Sequence, residues 1–419
     1  MRFGKSGVVV VALVALSVPF FNRSGLQEIG FFNQLIGSAY DFCDNSGMMR
    51  PWVSSHWLKS GKTQGLFTPE PPHLAMLEAS MQKGRAFFEG WYYKLVSEQL
   101  ETVALIPIVT VGNGLPPDVH CAIMVADPSH PDVMKRVTYH RFEMPNCRLV
   151  DDSDFVIRMG NNVFRRNSVI VDIPGVVSGT ISFSNSTPWP ATLLQPTCMG
   201  WFAYIPGMQC NHGVVSFNHE LTGSLSLGTG SGARELSFDL GRGYLEKDWG
   251  VQFPKNWIWI QCNHFYTKPD RGGTFLDGSS FIISVANIPF PGDGWSVPNV
   301  FEFQGFLGGL WDADAKRLYR VGTYTGAQVS LHFPHGRTGP KAEEVVVTVV
   351  DSQYKMVVRA AAKRSDSVPF WAPVDGRMVR SVDEMLNAKV DVTITRNRDG
   401  SVVFKGYGTA GGLEIQFTH

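Results

Sequence analysis

The 419-residue chain lacks an excess of charge of either sign. Its 37 basic residues balance its 37 acidic residues, and charged residues make up only 18% of the chain. A nucleic-acid-binding protein normally carries a basic excess, because neutralising phosphates supplies much of its affinity. Because the charges balance, we expect no nucleic-acid partner.

Cysteine is also sparse, with six residues and no Cys-x-x-Cys spacing. Six widely spaced cysteines favour buried free thiols over a disulfide framework. One or two disulfides stay possible if the protein is exported. The histidines show neither His-x-His nor His-Glu-x-x-His spacing, so no metal site is predicted. Gly-x-Ser-x-Gly, phosphate-binding and dinucleotide-binding motifs are missing as well.

Long apolar runs are missing except at the N-terminus. Arg2 and Lys5 precede an apolar run of about 15 residues from Gly7 to Phe21, which is typical of a signal peptide or short anchor. A membrane-spanning helix needs about 20 such residues, so the run is short for one. We predict that residues 1–23 direct the protein to a membrane, by the secretory route or into a plastid. The alternative is a helix in a cytosolic core.

The rest of the chain is rich in apolar and aromatic residues, at 44% and 12%. From residue 86 onward, short β-branched and aromatic segments alternate with Gly, Pro, Asn and Asp, which is typical of consecutive antiparallel strands. The pattern predicts an all-β fold with few short helices, built from two barrels or curved sheets packed together. The segment 381–388 is the helix candidate in this region, with Ser381 and Glu384 as a capping box.

The predicted domains follow from these patterns. Residues 24–85 form a lead-in segment that contains a candidate helix (Leu26–Cys43). Residues 86–197 form a first β-domain and residues 198–419 a second, although part of 198–265 can complete the first. The proline-rich stretch 186–197 is the predicted crossover between them.

Two aromatic-rich segments carry the candidate chemistry. In FFEGWYYK (Phe87–Lys94), alternation along a strand places Glu89 on the same face as Phe87, Trp91 and Tyr93. A carboxyl group among apolar rings has a raised pKa and can act as a general acid. The alternative is a buried ion pair with a basic residue of a neighbouring strand.

The second segment, GYLEKDWGVQFPKNWIWIQCNHF (Gly243–Phe265), is interpreted as a hairpin. Glu246 and Asp248 share a face of its first arm. On the second arm, alternation puts two indoles and two amides on one face, which is typical of a cavity wall that can orient a polar head group. The alternative is that these rings are core residues and the amides bond to backbone. The face consists of Trp257, Trp259, Gln261 and Asn263.

A third cluster lies in Met199–Phe217, where Trp201, Tyr204, Asn211 and His212 are the polar and aromatic members. A lone histidine in such a segment is more often a structural hydrogen-bonding residue than a catalyst.

The two long segments, in this order, resemble the two signature blocks of the tocopherol cyclase family, which often has Asn at the position of Asp248. The resemblance implies two lipocalin-like β-domains and catalysis without a cofactor or metal. It also implies a small apolar substrate, a prenylated benzoquinol, whose phenol oxygen adds to the nearest double bond of the tail to form a chromanol ring.

The predicted function is therefore an acid-induced cyclisation by a tocopherol cyclase-like isomerase. The alternatives are a carrier of an isoprenoid or other lipid, and an enzyme that hydrates or otherwise cyclises an isoprenoid. The predicted catalytic residues are Glu89 or Asp248, with Glu246 next. The predicted substrate-binding residues are Trp91, Tyr93, Trp201, Trp249, Trp257, Trp259, Gln261 and Asn263.

Overall fold

A computed structural model describes residues 74–416 except 113–114, 127–137, 144–146, 151–154, 193–194, 205–207, 229–232, 291–300, 337–342 and 375. The predicted leader and the candidate helix (Leu26–Cys43) lie outside these residues. Within them, no helix is long and apolar enough to cross a bilayer. Among the described residues, one α-helix, α1 (Leu74–Lys83), precedes the strands, and short 3-10 helices occur at Gly200–Tyr204, Thr323–Thr325 and Arg364–Asp366.

Two large antiparallel sheets make up nearly all of this structure, which confirms the predicted all-β fold. The first sheet has twelve strands in the order β4-β3-β2-β1-β12-β10-β9-β8-β7-β6-β5, with β11 paired to β10. Its strands are β1 (Phe87–Val96), β2 (Thr102–Gly112), β3 (Leu115–Ala126), β4 (Thr138–Phe142), β5 (Cys147–Val150), β6 (Val156–Met159), β7 (Asn162–Arg165), β8 (Ser168–Ile173), β9 (Val177–Thr187), β10 (Cys210–Leu227), β11 (Arg234–Ser237) and β12 (Arg242–Gly250).

The second sheet has eleven strands in the order β17-β16-β15-β13-β23-β22-β20-β19-β18, with β14 paired to β23 and β21 to β22. Its strands are β13 (Trp257–Cys262), β14 (Phe265–Tyr266), β15 (Ser280–Phe290), β16 (Phe301–Asp312), β17 (Arg317–Gly322), β18 (Gln328–His332), β19 (Glu343–Val350), β20 (Tyr354–Ala362), β21 (Val368–Val374), β22 (Arg377–Arg396) and β23 (Val402–Gln416).

Each sheet curls around a core of its own. Buried side chains from distant strands of the first sheet, such as Ile123 on β3 and Phe164 on β7, belong to one cluster. The second sheet has a matching cluster that includes Phe281 and Val345. A third cluster joins the two sheets, because it contains Tyr244 of the first and Trp259 of the second.

Two sequence predictions are wrong. Residues 381–388 do not form a helix, because they lie within β22, where backbone hydrogen bonds to β21 and β23 replace helical ones. The segment Gly243–Phe265 is not a hairpin, because its two strands belong to different sheets. β12 pairs with β1 and β10, whereas β13 pairs with β15 and β23.

The passage from one sheet to the other lies between Gly250 and Trp257. The proline-rich stretch 186–197 instead runs between β9 and β10, which are both in the first sheet. A Cβ on Gly250 would lie 2.4 Å from the carbonyl oxygen of Gln209, so the chain needs glycine where it leaves the first sheet.

Candidate active site between the two sheets

A cavity that is open to solvent lies between the two sheets, and the space within it, open solvent included, is about 1320 Å³. Aromatic side chains form much of its wall. Phe253 packs edge-on against Phe88 at 5.4 Å and against Trp257 at 5.7 Å between ring centroids, and Tyr92 packs edge-on against Trp259 at 5.3 Å. Such walls favour an apolar ligand.

The two faces of β1 point to different places. Phe88, Gly90 and Tyr92 line the cavity. Glu89 points into the core of the first sheet, where its carboxylate lies 2.8 Å from the Lys247 ammonium and both side chains are fully buried. This placement favours the ion-pair interpretation of Glu89 over the general-acid one.

Four of the predicted ligand-binding aromatic residues pack away from the cavity or beside it. Trp91 borders the cavity, but its ring stacks on Phe155 in the first core, where Tyr93 and Trp249 also lie. Trp201 stacks on its neighbour Phe202, and only Phe202 of the two is part of the wall.

The two predicted amides form hydrogen bonds within the protein and do not line the cavity. Gln261 accepts a 2.7 Å hydrogen bond from the Lys94 ammonium, and Asn263 donates a 3.0 Å bond to the carbonyl of Gly243. The two indoles of the same strand, Trp257 and Trp259, do line the cavity. β13 therefore supplies two rings to the wall and the Gln261 amide to the seam between the sheets, and Asn263 follows directly after the strand.

The predicted carboxyl groups of β12 meet a histidine at the cavity wall. Asp248 lies directly opposite His212 of β10 and opposite Gly90 of β1. His212 places its Nδ1 2.7 Å from Asp248 Oδ1 and its Nε2 3.2 Å from Glu246 Oε2. We call these three residues the histidine cluster.

Two further donors fix Glu246 in the histidine cluster. The Tyr244 hydroxyl donates a 2.5 Å hydrogen bond to Glu246 Oε2, and the Trp259 indole N–H donates to the same atom over 3.3 Å. Glu246 is almost fully buried, whereas about a quarter of the Asp248 side chain is exposed. Glu246 thus anchors the cluster, and Asp248 is its more accessible carboxyl.

Burial and charge set the protonation of this cluster. Burial alone would lower the pKa of His212, but the Asp248 and Glu246 carboxylates outweigh it and hold that pKa well above its usual range. Burial raises the pKa of Asp248, while the imidazolium opposes the rise. The cluster therefore holds a positive imidazole between two carboxyl groups, one of which is poised to exchange a proton with a ligand.

The same three side chains could supply ligands to a divalent cation, since one donor atom from each lies within 4.8 Å of the others. However, the two ring nitrogens of His212 face different carboxylates. A metal ion would take only one of these nitrogens and break the contact at the other. The geometry fits a protonated imidazole in the central position better than a cation.

A second pair of carboxyl groups, which the sequence did not indicate, comes from the second sheet. Glu414 on β23 lines the cavity and lies directly opposite Glu384 on β22. The assignment of 381–388 to a helix concealed this pair. A strand pattern over Val382, Glu384 and Leu386 would have placed the three on one buried face.

Gly412 on β23 gives the Trp259 indole its place in the wall. A Cβ at this position would lie 2.4 Å from the indole ring, closer than real contacts allow. We expect Gly412→Ala to displace the indole and to lower the free energy of unfolding by about 1–3 kcal/mol. Urea denaturation measures this loss. Gly90→Ala is the milder comparison, because the atoms nearest to its Cβ belong to the flexible Ile108 side chain, at 3.2 Å. An equal loss in both variants would contradict the prediction.

Comparison with known proteins finds a match to a family over part of the chain. Residues 181–284 match the tocopherol cyclase-like family. The chain is also 34% identical to a probable chloroplastic tocopherol cyclase of Oryza sativa over 76 residues, which is 18% of this chain and 15% of the rice protein. These matches confirm the predicted resemblance. The segment 181–284 contains His212 and all of β12 and β13, and therefore the whole histidine cluster and both indoles of the wall.

One solved structure in particular shares the fold. The crystal structure of CghA with Sch210972 is similar over 80% of this chain and 89% of that chain, with a TM-score of 0.51 and 11% identity. Kievitone hydratase from Nectria haematococca is similar over 83% of this chain and 98% of that chain, with a TM-score of 0.39 and 11% identity.

Proposed function

We propose that this protein is a tocopherol cyclase-like isomerase, which closes a chromanol ring on a prenylated benzoquinol by acid-induced cyclisation. The family match supports a cyclase-like enzyme. The observation that carries the proposal is the histidine cluster, which lies on the wall of an aromatic cavity.

The reaction moves one proton and forms one bond. The nearest double bond of the tail takes up a proton and becomes a tertiary cation, the phenol oxygen adds to that cation, and the phenol proton leaves. Asp248 is our proposed proton-transfer residue, since it faces the cavity with a raised pKa. Glu246 holds His212, and the imidazolium keeps the charge of the site balanced.

The aromatic wall protects the cation. The faces of Trp257, Trp259 and Tyr92 can each stabilise a desolvated positive charge by about 0.5–2 kcal/mol. The apolar lining also excludes water, which would otherwise capture the cation as an alcohol. A substrate of this class partitions into lipid, so we further propose that the protein works at a membrane of the secretory route or a plastid.

The direct test is incubation with a phytyl benzoquinol under reducing conditions, followed by chromatography and mass spectrometry. We expect a chromanol of unchanged mass. Binding without product would instead indicate a lipid carrier, and a product heavier by one water molecule would indicate a hydratase.

Asp248→Asn tests the proton-transfer role, because the amide can bond to His212 but cannot titrate. We expect the turnover rate to fall about 100-fold or more, with ligand binding retained as measured by quenching of tryptophan fluorescence. Asp314→Asn in an exposed turn is the control and should match the wild type. Full activity of Asp248→Asn, the residue that family members often carry there, would remove Asp248 from the mechanism.

A further inference from the structure

Glu384 and Glu414 form a carboxyl pair that the reaction, as described so far, does not use. They are Cα partners on adjacent antiparallel strands, so their side chains lie on the same face of the sheet. Glu384 is fully buried and Glu414 is 8% exposed, and Glu414 reaches the cavity wall. Two carboxyl groups are costly to bury together if both are ionised.

Each carboxyl group accepts a hydrogen bond from an aromatic residue of the cavity wall. The Trp257 indole N–H donates to Glu414 Oε2 over 2.5 Å, and the Tyr92 hydroxyl donates to Glu384 Oε1 over 2.5 Å. The other oxygen of Glu384, Oε2, is buried and makes no hydrogen bond to any residue that the structure describes. A neutral carboxyl group tolerates that position far better than a carboxylate does.

The charged and titratable groups around the pair also favour a bound proton. Burial and then Glu384 raise the pKa of Glu414 well above its usual range, and Glu246 and Asp248 of β12 add to the rise. Burial raises the pKa of Glu384 to about 8, although the Tyr92 hydrogen bond and the Lys94 ammonium oppose this and Glu246 adds to it. Glu384 is therefore neutral near neutral pH and ionises as the pH rises through about 8, and from there its negative charge holds the proton on Glu414.

We propose that Glu414 donates the proton to the alkene carbon in the ring closure and that Glu384 is a positioning residue that keeps Glu414 protonated. This inference rests on the proposed function and assigns its acid. Asp248, on the other sheet, then acts as the base that receives the phenol proton.

The proton count balances. The π electrons of the alkene form a C–H bond with the proton of Glu414, which becomes a carboxylate. A lone pair of the phenol oxygen forms the C–O bond, and the phenol proton passes to the Asp248 carboxylate. Exchange with solvent returns both groups to their starting states, so substrate and product are isomers. The donor Glu414 lies on the second sheet and the acceptor Asp248 on the first, and both line the cavity.

Glu414→Gln tests the acid, because the amide still accepts from Trp257 but carries no acidic proton. We expect a 100- to 10,000-fold lower single-turnover rate, unchanged quenching of tryptophan fluorescence by the quinol, and partial recovery in Glu414→Asp. Glu302→Gln, exposed on β16, is the matched control. Wild-type cyclisation with an equally fast Glu414→Gln variant would overturn this inference alone, whereas a wild type that makes no chromanol overturns the proposed function with it.

Glu384→Gln gives a second test, which holds even if Glu414→Gln does not fold. Its measurement is the pH–rate profile, which the loss of a purely structural residue would not shift. The wild-type rate should fall as the pH rises through the pKa of Glu414, because the acid is then lost. Without the negative charge of Glu384, that pKa is lower, and the descending limb of the pH–rate profile should shift to lower pH. A reduced rate with an unshifted limb would contradict the role of Glu384.

Discussion

Replacement of His212 by alanine is expected to reduce chromanol formation about 100- to 10,000-fold. The same change should lower the free energy of unfolding by about 3–5 kcal/mol, the usual result of removing one partner from a buried ion pair. His212 is the positive charge between Glu246 and Asp248. Without it, two carboxyl groups on the same face of β12 repel each other at the cavity wall.

The pH dependence of this stabilisation has a definite sign. The folded-state pKa of His212 lies above its ordinary value of 6.5, so the histidine binds its proton more tightly in the folded protein. Its contribution is complete below that value and is lost as the pH rises through the folded-state pKa. The difference in unfolding free energy between wild type and His212→Ala should therefore shrink as the pH becomes alkaline.

A double variant separates stability from catalysis. Asp248→Asn added to His212→Ala removes the repulsion and should restore part of the stability but none of the activity. His332→Ala, on the exposed side of β18, is the control and should leave both unchanged. Denaturant titration and the chromanol assay measure the two effects. Near-normal turnover in His212→Ala would exclude the histidine cluster from the reaction.

Alternation along single strands predicted part of this site. It placed Glu246 and Asp248 on one face of β12 and the two indoles of β13 on another, and all four line the cavity. The rule succeeds here because successive side chains of a strand point to opposite sides whatever the surrounding fold. Which side faces a ligand is a different question.

The sequence did not show which face of β1 lines the cavity. The strand lies at the centre of the first sheet, with that sheet's core on one side and the inter-sheet cavity on the other, and nearly every residue is buried. Both faces are aromatic, so composition does not separate cavity wall from core. Glu89, one of the two residues predicted as the acid, lies on the core face, and its partner Lys247 is on a strand about 160 residues further along the chain.

The sequence did not reveal the Glu384–Glu414 pair, and the reason is a different one. Residues 381–388 contain a serine followed three residues later by a glutamate, a local signal of a helix start. Long-range pairing with β21 and β23 overrides that local preference. Glu414 sits among glycines, a stretch that carried no chemical signal until the fold placed it against Glu384 and Trp257.

The Lys247–Glu89 pair provides the second large effect, on stability alone. Lys247 is fully buried, 2.8 Å from Glu89 and 4.3 Å from the centre of the Trp91 ring, and burial lowers its pKa to about 8. Lys247→Met strands a carboxylate in the core of the first sheet. We expect it to lower the free energy of unfolding by about 3–5 kcal/mol.

The double variant Glu89→Met/Lys247→Met removes both charges and should be as stable as the wild type, or more stable by about 1–4 kcal/mol. Its turnover should equal that of the wild type, because neither side chain faces the cavity. Denaturant titration and the chromanol assay on the same preparation decide the matter. A stable double variant that no longer cyclises would return Glu89 to the catalytic role, since loss of fold could not then explain the loss of activity.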